Sequence, residues 1–382
     1  MKIADLKVYP VAGSIYNWIL LEVITDSGLK GVGEATNWPG GWMVVSALEQ
    51  MKPLLIGEDP NRIDAIWNKL YKHFNYVGIA GVVVSALSGI DIALWDLKAK
   101  SLGTPIYNLL GGRYRDKLLL YANGWFLGSD LDPDAYARAA ELVARSGFTG
   151  MKCDPFRNVY NSDADPDGRE ISAAEERRGI NIIARMRESL PEAMDIAVDT
   201  HARFNAVTTV RLAQSLAQYR LMWYEEPVPP ENTDALRAIR SRLPVPIAVG
   251  ERLYTRQGFR PILEGGLADY LLPDVTRTGG ISEMIKIAAA AETYYVPVSP
   301  HNPNGPISTL AAAHAMTATP NFHRLEFWWK DAPWRDSILS APLCVESGHL
   351  ILSDAPGLGV DLNVEECLKH PAHHVSGPAF YV

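Results

Sequence analysis

The sequence predicts an α/β protein in which a parallel (β/α) barrel follows a smaller α+β domain. Three observations lead to this prediction. The chain has 382 residues, 47% of them hydrophobic, which is enough for a large core shared by two domains. Strand-like and helix-like segments alternate from about residue 117. Most of the strand-like segments end in a polar or charged side chain, and such barrels place their active sites at the carboxyl ends of the strands.

The segment up to residue 115 predicts a small sheet followed by helices. "KIADLKVYPV" and "NWILLEVITDSGLKGVGEAT" alternate between apolar and polar residues, with turn residues at Asp26-Ser27-Gly28. "SALSGIDIALWDLKAKSLG" has a helical pattern that ends at Gly103. We therefore expect residues 1–115 to form an α+β domain.

Eight short apolar runs between residues 116 and 340 predict the barrel strands. They are "LLLYAN", "FTGMKCD", "MDIAVD", "LMWYEE", "VPIAVGE", "DYLLPD", "YYVPVSPH" and "NFHRLE". Helix-like stretches such as "TVRLAQSLAQY" lie between most of them, as a parallel barrel requires. Residues 341–382 look like strands and a turn that return to the first domain.

Seven of these runs end at an ionisable residue: Asp154, Asp199, Glu225, Glu251, Asp274, His301 and Glu326. From Asp199 onward the successive spacings are 26, 26, 23, 27 and 25 residues, and each fits one βα unit. The step from Asp154 to Asp199 is 45 residues and contains "NSDADPDGRE", which predicts an inserted surface loop. Seven such residues in register indicate one shared site at the mouth of the barrel.

Composition excludes several function classes. The net charge of −8 and the absence of a basic tract argue against nucleic-acid binding and favour a small-molecule partner. "MKIADLKVYP" lacks the apolar core of a signal peptide, and Asp91 interrupts the most apolar stretch, so we expect a cytoplasmic protein without a membrane span. Three cysteines, few and far apart, argue against a disulfide framework and a zinc site.

The strand-end residues themselves indicate metal-assisted acid–base chemistry. Carboxylates at Asp199, Glu225 and Glu251, on consecutive strands, would repel one another unless a cation lay between them, and single oxygen ligands on rigid strands suit Mg²⁺. Salt bridges to Arg203 or Arg252 are the structural alternative.

Two histidines accompany these acids. Asp274 and His301 lie one strand apart and could pair, which would fix the imidazole tautomer and leave the other nitrogen to take a proton. In "AVDTHARF", Asp199 and His201 share a face if the strand continues, whereas a helix-capping Asp beside a loop histidine is the plainer interpretation.

Taken together, the motifs resemble the enolase superfamily, mandelate racemase subgroup. They are "GVGEAT", "GIDIALWDLKAKSLGTPIYNLLGG", "DTH" at 199–201, "EEP" at 225–227, "GER" at 250–252, "PDVTRTGG" at 273–280, "PHNPNGP" at 300–306 and Glu326. The resemblance covers nearly the whole chain, and it is greatest to acid-sugar dehydratases such as galactonate dehydratase. It implies an enolase-type modified (β/α) barrel whose N-terminal α+β domain caps the mouth.

The resemblance also implies residue roles. Mg²⁺ would be bound by the three acids Asp199, Glu225 and Glu251. His301, oriented by Asp274, would remove the C2 proton of a galactonate-, gluconate- or arabinonate-like acid. His201 would protonate the departing 3-hydroxyl, giving a 2-keto-3-deoxy sugar acid. Glu326 would donate a hydrogen bond to the enediolate, for which it must carry a proton.

One position departs from the racemising members of that subgroup, which carry Lys-x-Lys on the second barrel strand. Here the tripeptide is "KCD", so Lys152 is present but Asp154 replaces the second lysine. Racemisation needs an acid or base on each face of the substrate, so this replacement favours dehydration. Lys152 would neutralise the substrate carboxylate or form a salt bridge to Asp154 or Asp199. Asp154 would bind a distal hydroxyl or cap its strand.

The remaining expectations concern substrate contacts and alternatives. The candidate substrate-binding residues are Lys152, Asp154, Arg203, Trp18 and Tyr76. Trp18 and Tyr76 are aromatic residues of first-domain loops that could close over the barrel, or core residues of the domain interface. The resemblance implies a homo-oligomer. Epimerisation, racemisation or cycloisomerisation of a sugar lactone through the same enediolate is the alternative reaction, and a silent binding barrel is the alternative class.

Overall fold

The computed structural model describes residues 1–157 and 169–374. Most of the loop predicted at 161–170, and the last residues of the tail predicted at 341–382, lie outside the described residues. In the part of the chain that is described, no helix is both long enough and apolar enough to cross a membrane.

An antiparallel meander and helices form the N-terminal region. The strands are β1 (Ile3–Ala12), β2 (Asn17–Thr25) and β3 (Lys30–Glu34), in the order β1-β2-β3. The helices are α1 (Gly41–Leu55), α2 (Ile63–His73), α3 (Val82–Ser101) and α4 (Ile106–Leu109). Helix α3 packs closely on β3, because Gly33 has no side chain: a Cβ there would lie 2.2 Å from the Gly89 carbonyl oxygen. The buried apolar side chains of this sheet and of α1–α3 form their own core.

The barrel strands follow the predicted alternation. They are β4 (Leu118–Asn123), β5 (Gly150–Cys153), β6 (Asp195–Asp199), β7 (Trp223–Glu225), β8 (Ile247–Val249), β9 (Tyr270–Leu271) and β10 (Leu325–Trp328). The helices between them are α5 (Pro133–Arg145), α6 (Ala173–Ser189), α7 (Ala206–Leu216), α8 (Thr233–Arg240), α9 (Thr255–Glu264), α10 (Gly280–Glu292) and α11 (Pro306–Thr317). Side-chain caps start several of these helices, as in the Ser172 and Glu175 capping box of α6.

The strands pair in parallel from β4 to β9, and β10 pairs with β4. The seventh predicted run, "YYVPVSPH", is not a strand in the structure. It contributes a single bridging residue, Val298, which pairs with Leu271 on one side and Phe322 on the other. Pro297 and Pro300 flank this position and have no N–H to extend the ladder. The ring of eight segments is therefore present, with one of them reduced to a bridge.

A packed layer inside the barrel supports the site. Ala197, Trp223, Ala248 and Leu272 are buried in one cluster. Ala197 stands two residues before Asp199, and Trp223 stands two residues before Glu225, so the acids lie directly above this layer. The Trp223 indole Nε1 donates a 2.8 Å hydrogen bond to Glu225 Oε2.

The N-terminal region docks on the barrel through specific hydrogen bonds. Glu34 at the end of β3 accepts bonds from the backbone N–H groups of Gly305 (2.7 Å) and Ser308 (2.8 Å), at the start of α11. The partial positive charge of a helix N-terminus favours this carboxylate. On α3, Asp91 accepts a 3.0 Å bond from the N–H of Ser282 in α10.

The C-terminal residues contact both regions. Strands β11 (Cys344–Glu346) and β12 (His349–Ile351) form a hairpin, and β12 pairs antiparallel to β4. After helix α12 (Val364–Lys369), the chain reaches β1, where Val11 bridges to Pro371. The described C-terminal residues thus contact the first sheet at Pro371, and their hairpin extends the barrel sheet.

Candidate active site

Three buried carboxylates lie together at the carboxyl ends of neighbouring strands. Asp199 ends β6 and pairs in register with Glu225, which ends β7, and Glu251 follows β8 by two residues. One oxygen of each lies within 4.8 Å of the others. Burial and the neighbouring Asp199 carboxylate hold the pKa of Glu225 well above its usual range. These three residues could hold a metal ion.

The donor set fits a hard divalent cation. All three ligand groups are carboxylates, which is the chemistry that Mg²⁺ prefers. Within the described residues, Asp199 Oδ2 is buried without a hydrogen bond, so it keeps lone pairs for a further partner.

Lys152 from β5 partly compensates this negative charge. Its Nζ lies 2.8 Å from Glu225 Oε1, 3.1 Å from Asp199 Oδ2 and 3.3 Å from Glu326 Oε1. Burial alone would lower the pKa of Lys152, but the carboxylates outweigh it and hold the pKa well above the usual range. The expected contact with Asp199 is therefore present, and the ammonium stays charged.

On one side of this acidic centre lies the pair His301 and Asp274. His301 Nδ1 is 2.8 Å from Asp274 Oδ2, and His301 Nε2 is 3.1 Å from Glu251 Oε2. Asn304 holds Asp274 in place by donating to both of its carboxylate oxygens, at 3.1 and 2.9 Å. Burial lowers the pKa of His301, but Glu251, Glu326 and Asp274 together raise it to about 10 in the metal-free site. A cation among the carboxylates would act in the opposite direction.

On the other side lies a second pair of the same kind, His201 and Asp154. His201 Nδ1 is 3.0 Å from Asp154 Oδ2, and His201 Nε2 is 3.4 Å from Asp199 Oδ2. Arg203, only 1% exposed, donates from Nη2 to the same Asp154 oxygen at 2.8 Å. Burial acts to raise the pKa of Asp154, but Arg203 and His201 lower it far below its usual range. His201 has a φ of 49°, so the strand has ended before it and the shared face arises from a turn.

A cavity of about 480 Å³ opens over these groups. Its lining includes Lys152, Asp199, His201, Glu251 and His301. The N-terminal region contributes Tyr16 and Trp38 to the same cavity, and their rings lie 5.6 Å apart. The cavity therefore joins the acid–base residues to a wall from the N-terminal region.

The structure does not bring every predicted substrate-binding residue to this cavity. Trp18 is 1% exposed within the core, and Tyr76, on a short 3-10 helix, is 99% exposed; neither lines the cavity. Arg203 also lies outside the lining and is bonded to Asp154. Lys152 and Asp154 do line it.

Other lining residues were not predicted to bind the substrate or to take part in catalysis. Arg277 lies in the "PDVTRTGG" motif, Arg252 directly follows Glu251, and Asn123 ends β4 and donates to Glu326. Asn123 occupies a strand end like the predicted acids, so the strand-end rule would have found it had neutral residues been included. For Arg277 the only signal in the sequence is its place in that motif. Arg252 was expected only as an alternative salt-bridge partner of the three acids, and its Nη2 does lie 3.5 Å from Glu251 Oε1.

Comparison with known proteins gives the family. The model of the mandelate racemase / muconate lactonizing enzyme N-terminal domain matches residues 12–111, and the enolase C-terminal domain-like model matches residues 134–367. The chain belongs to this family. Both domains of the family are thus present, and the resemblance on which the barrel and its N-terminal domain were expected is confirmed.

Similar family members of named activity are acid-sugar dehydratases. The D-xylonate dehydratase of Haloferax volcanii is 35% identical, covering 100% of this chain and 90% of the relative. The D-gluconate dehydratase of Thermoproteus tenax is 35% identical (93% and 70% covered), and the D-galactonate dehydratase of Ralstonia pickettii is 34% identical (95% and 92% covered).

Solved structures agree on the fold of the family. A mandelate racemase/muconate lactonizing enzyme-like protein from Rubrobacter xylanophilus superimposes with a TM-score of 0.90 at 31% identity, covering 100% of this chain and 99% of that one. A member of the enolase superfamily from Salmonella Typhimurium gives a TM-score of 0.88 at 30% identity, with 97% and 98% covered. The two-domain barrel architecture is therefore that of the superfamily.

Proposed function

We propose that this chain is an acid-sugar dehydratase, a hydro-lyase that removes the C2 proton and the 3-hydroxyl of a sugar acid. The observation that carries the proposal is the pair of Asp–His dyads. In each histidine, Nδ1 contacts a carboxylate that is not one of the three acids of the centre. Nε2 lies beside one of those three acids. Loss of water requires one group to take a proton from carbon and another to give one to the leaving oxygen, and two oriented imidazoles supply both. The named activities of the similar proteins support the same reaction.

Asp199, Glu225 and Glu251 would hold Mg²⁺, as their common chemistry and burial suggest. A bound divalent cation would stabilise the negative charge that develops on the substrate carboxylate when the C2 proton leaves. Lys152, already buried among carboxylates, would stabilise the same charge from the β5 side.

The protein's own groups then account for the proton transfers. His301 takes the C2 proton at Nε2, because Asp274 holds its Nδ1 as a donor. His201 gives a proton from Nε2 to the departing 3-hydroxyl, and Asp154 holds its Nδ1 in the same way. The resulting enol tautomerises to the 2-keto-3-deoxy acid, so the only other product is water. Glu326, whose Oε2 accepts a 2.8 Å bond from the N–H of Asn302, would donate a hydrogen bond to the enediolate once it carries a proton.

We further propose that residues 1–115 cap the mouth of the barrel formed by residues 116–340. Tyr16 and Trp38 support this role, because they line the same cavity as the two histidines. Closing a site in this way excludes water and strengthens the electrostatic interactions inside it.

The alternative reactions, epimerisation, racemisation and lactone cycloisomerisation, need a base or acid in a different place. In racemising members the second lysine of Lys-x-Lys is that base. Here the position is Asp154, whose carboxylate is hydrogen-bonded to His201 and Arg203. Asp154 therefore supports the histidine rather than replacing the lysine as a base.

Proton NMR of hexonates, pentonates and aldarates in D₂O, with protein and Mg²⁺, tests the proposal. We expect 3-deoxy resonances that disappear with EDTA for at least one acid. Loss of the C2 proton signal without those resonances would move the function to an epimerase or isomerase. No change with any acid, in a sample that binds Mg²⁺, would refute the proposal.

A further inference from the structure

Arg277 stands out among the cations of the cavity, because its guanidinium makes no hydrogen bond to any described residue. Its side chain is only 12% exposed and lines the cavity. The carboxylate within ion-pair distance is Asp274, at 3.6 Å between Nε and Oδ2, and that oxygen already accepts bonds from His301 and Asn304.

The other cations of the cavity have close partners within the protein. Lys152 contacts three carboxylates, the nearest at 2.8 Å. Arg157 donates to the Phe126 carbonyl oxygen at 3.1 Å. Arg252 donates to Glu226 at 2.7 Å. The donors of Arg277 thus differ from theirs in having no acceptor among the described residues.

Leaving guanidinium donors with little water and no acceptor costs free energy, so such a group is maintained where a ligand supplies the acceptors. Two roles fit the position. Arg277 could act on Asp274 through charge alone, or it could bind substrate oxygens. At 3.6 Å, without a hydrogen bond, the contact with Asp274 leaves the guanidinium donors unused.

The topology places Arg277 across the barrel from Lys152. Lys152 lies on β5, the second of the eight barrel segments, and Arg277 follows β9, the sixth. Second and sixth segments face each other in a ring of eight. Since Lys152 would neutralise the substrate carboxylate at C1, Arg277 on the opposite segment faces the other end of a bound chain.

On the basis of the proposed function, we propose that Arg277 binds the substrate oxygens remote from C1 and determines specificity there. A guanidinium fork matches two oxygens presented side by side. Neighbouring hydroxyls of an aldonate and the second carboxylate of an aldarate both have this chemistry.

The test compares Arg277→Met, Arg277→Lys and the control Arg260→Met on two substrates. One is the sugar acid that the NMR panel identifies; the other is glycerate, which keeps C1, C2 and C3 but has no remote oxygens. We expect Arg277→Met to lower kcat/KM for the sugar acid on the order of 100-fold and to leave glycerate turnover to pyruvate unchanged. Arg277→Lys should fall between Met and wild type. Arg260, 74% exposed on α9 and paired with Glu264, provides a control that should behave as wild type.

Several outcomes separate the possibilities. A greater loss for aldarates than for aldonates identifies a carboxylate as the bound group, and an equal loss identifies hydroxyls. Equal losses for the sugar acid and for glycerate would mean that Arg277 acts through Asp274, and would overturn the proposal. An unchanged kcat/KM for the sugar acid would overturn it too, with the dehydratase function intact. Thermal melting checks folding, and we expect Arg277→Met to melt no lower than wild type, because no hydrogen bond is lost.

Discussion

Replacing Asp154 by Asn should separate the two proton transfers of the proposed reaction. Asp154 Oδ2 accepts two bonds, from His201 Nδ1 at 3.0 Å and from Arg203 Nη2 at 2.8 Å. The amide keeps nearly the same shape but removes the charge, and it can present an N–H to His201 in place of an acceptor. His201 Nδ1 would then lose the acceptor that fixes its tautomer, while the His301 dyad, on other segments, keeps its partner Asp274.

The expected magnitude follows from these contacts. A general acid contributes roughly 10²–10⁴-fold to rate, so we expect dehydration by Asp154→Asn to fall by about 10³-fold. The substitution also removes the Asp154 charge that pairs with the buried Arg203, and breaking a buried ion pair costs about 3–5 kcal/mol of folding stability. Exchange of the C2 proton should stay within about threefold of wild type, because the His301 dyad supplies it.

The assay follows one sample by proton NMR in D₂O, with C2 deuterium incorporation and 3-deoxy product measured together. The matched variant Asp274→Asn carries the same substitution in the other dyad and should lose both exchange and dehydration. Thermal melting of each variant shows whether it is folded at the temperature of the assay. Equal loss of exchange and dehydration in folded Asp154→Asn would refute the separation of roles, and wild-type dehydration would show that Asp154 does not position His201.

Three further predictions concern the histidines, the metal and acid stability. His301→Asn should abolish C2 exchange and dehydration, whereas His201→Asn should retain exchange; normal dehydration by His201→Asn in the same NMR assay would contradict its assigned role. Mg²⁺ should raise the free energy of unfolding by about 2.7 kcal/mol at 100 times its Kd and EDTA should reverse this, because the cation relieves repulsion among three buried carboxylates; calorimetry that shows no shift would argue against the site. Burial lowers the pKa of His314 to about 4, so the unfolded state binds a proton between pH 6.5 and 4 that the folded state does not. Stability should therefore fall as the pH drops through that range, by about 3 kcal/mol from this residue, and His314→Gln should show a shallower pH dependence in urea unfolding.

Much of the architecture could be predicted from the sequence, because strands and βα units depend on local patterns of apolar and polar residues. Alternation over β1 and β2 predicts strands, although β2 is buried on both faces, and spacings of 23–27 residues predict successive βα units. The seventh run was the exception. It has strand-like composition, but Pro297 and Pro300 remove the donors that a longer ladder would need, and only Val298 bridges.

The candidate site residues at strand ends could also be predicted from the sequence, because parallel strands bring their carboxyl ends to one edge of the sheet. Asp199, Glu225 and Glu251 could be picked out along the chain before any distance was known. The aromatic candidates could not be placed in this way. Trp18 and Tyr76 both belong to first-domain loops or strand starts, yet one is 1% and the other 99% exposed. The direction in which such a ring points depends on how the N-terminal region docks on the barrel. The residues next to it in the sequence do not determine that docking.

By itself, the sequence determined the family, the barrel and the identity of the acids and histidines at its mouth, because periodicity and motif spacing record which residues share an edge. Only the tertiary structure decided how those residues are connected. Asp154 and His201 are 47 positions apart, and nothing local predicts the 3.0 Å contact that makes them a second dyad. The free donors of Arg277 are likewise a property of the folded cavity. Hydrogen-bond partners and burial are set by the approach of distant elements, so they appear only when the barrel closes.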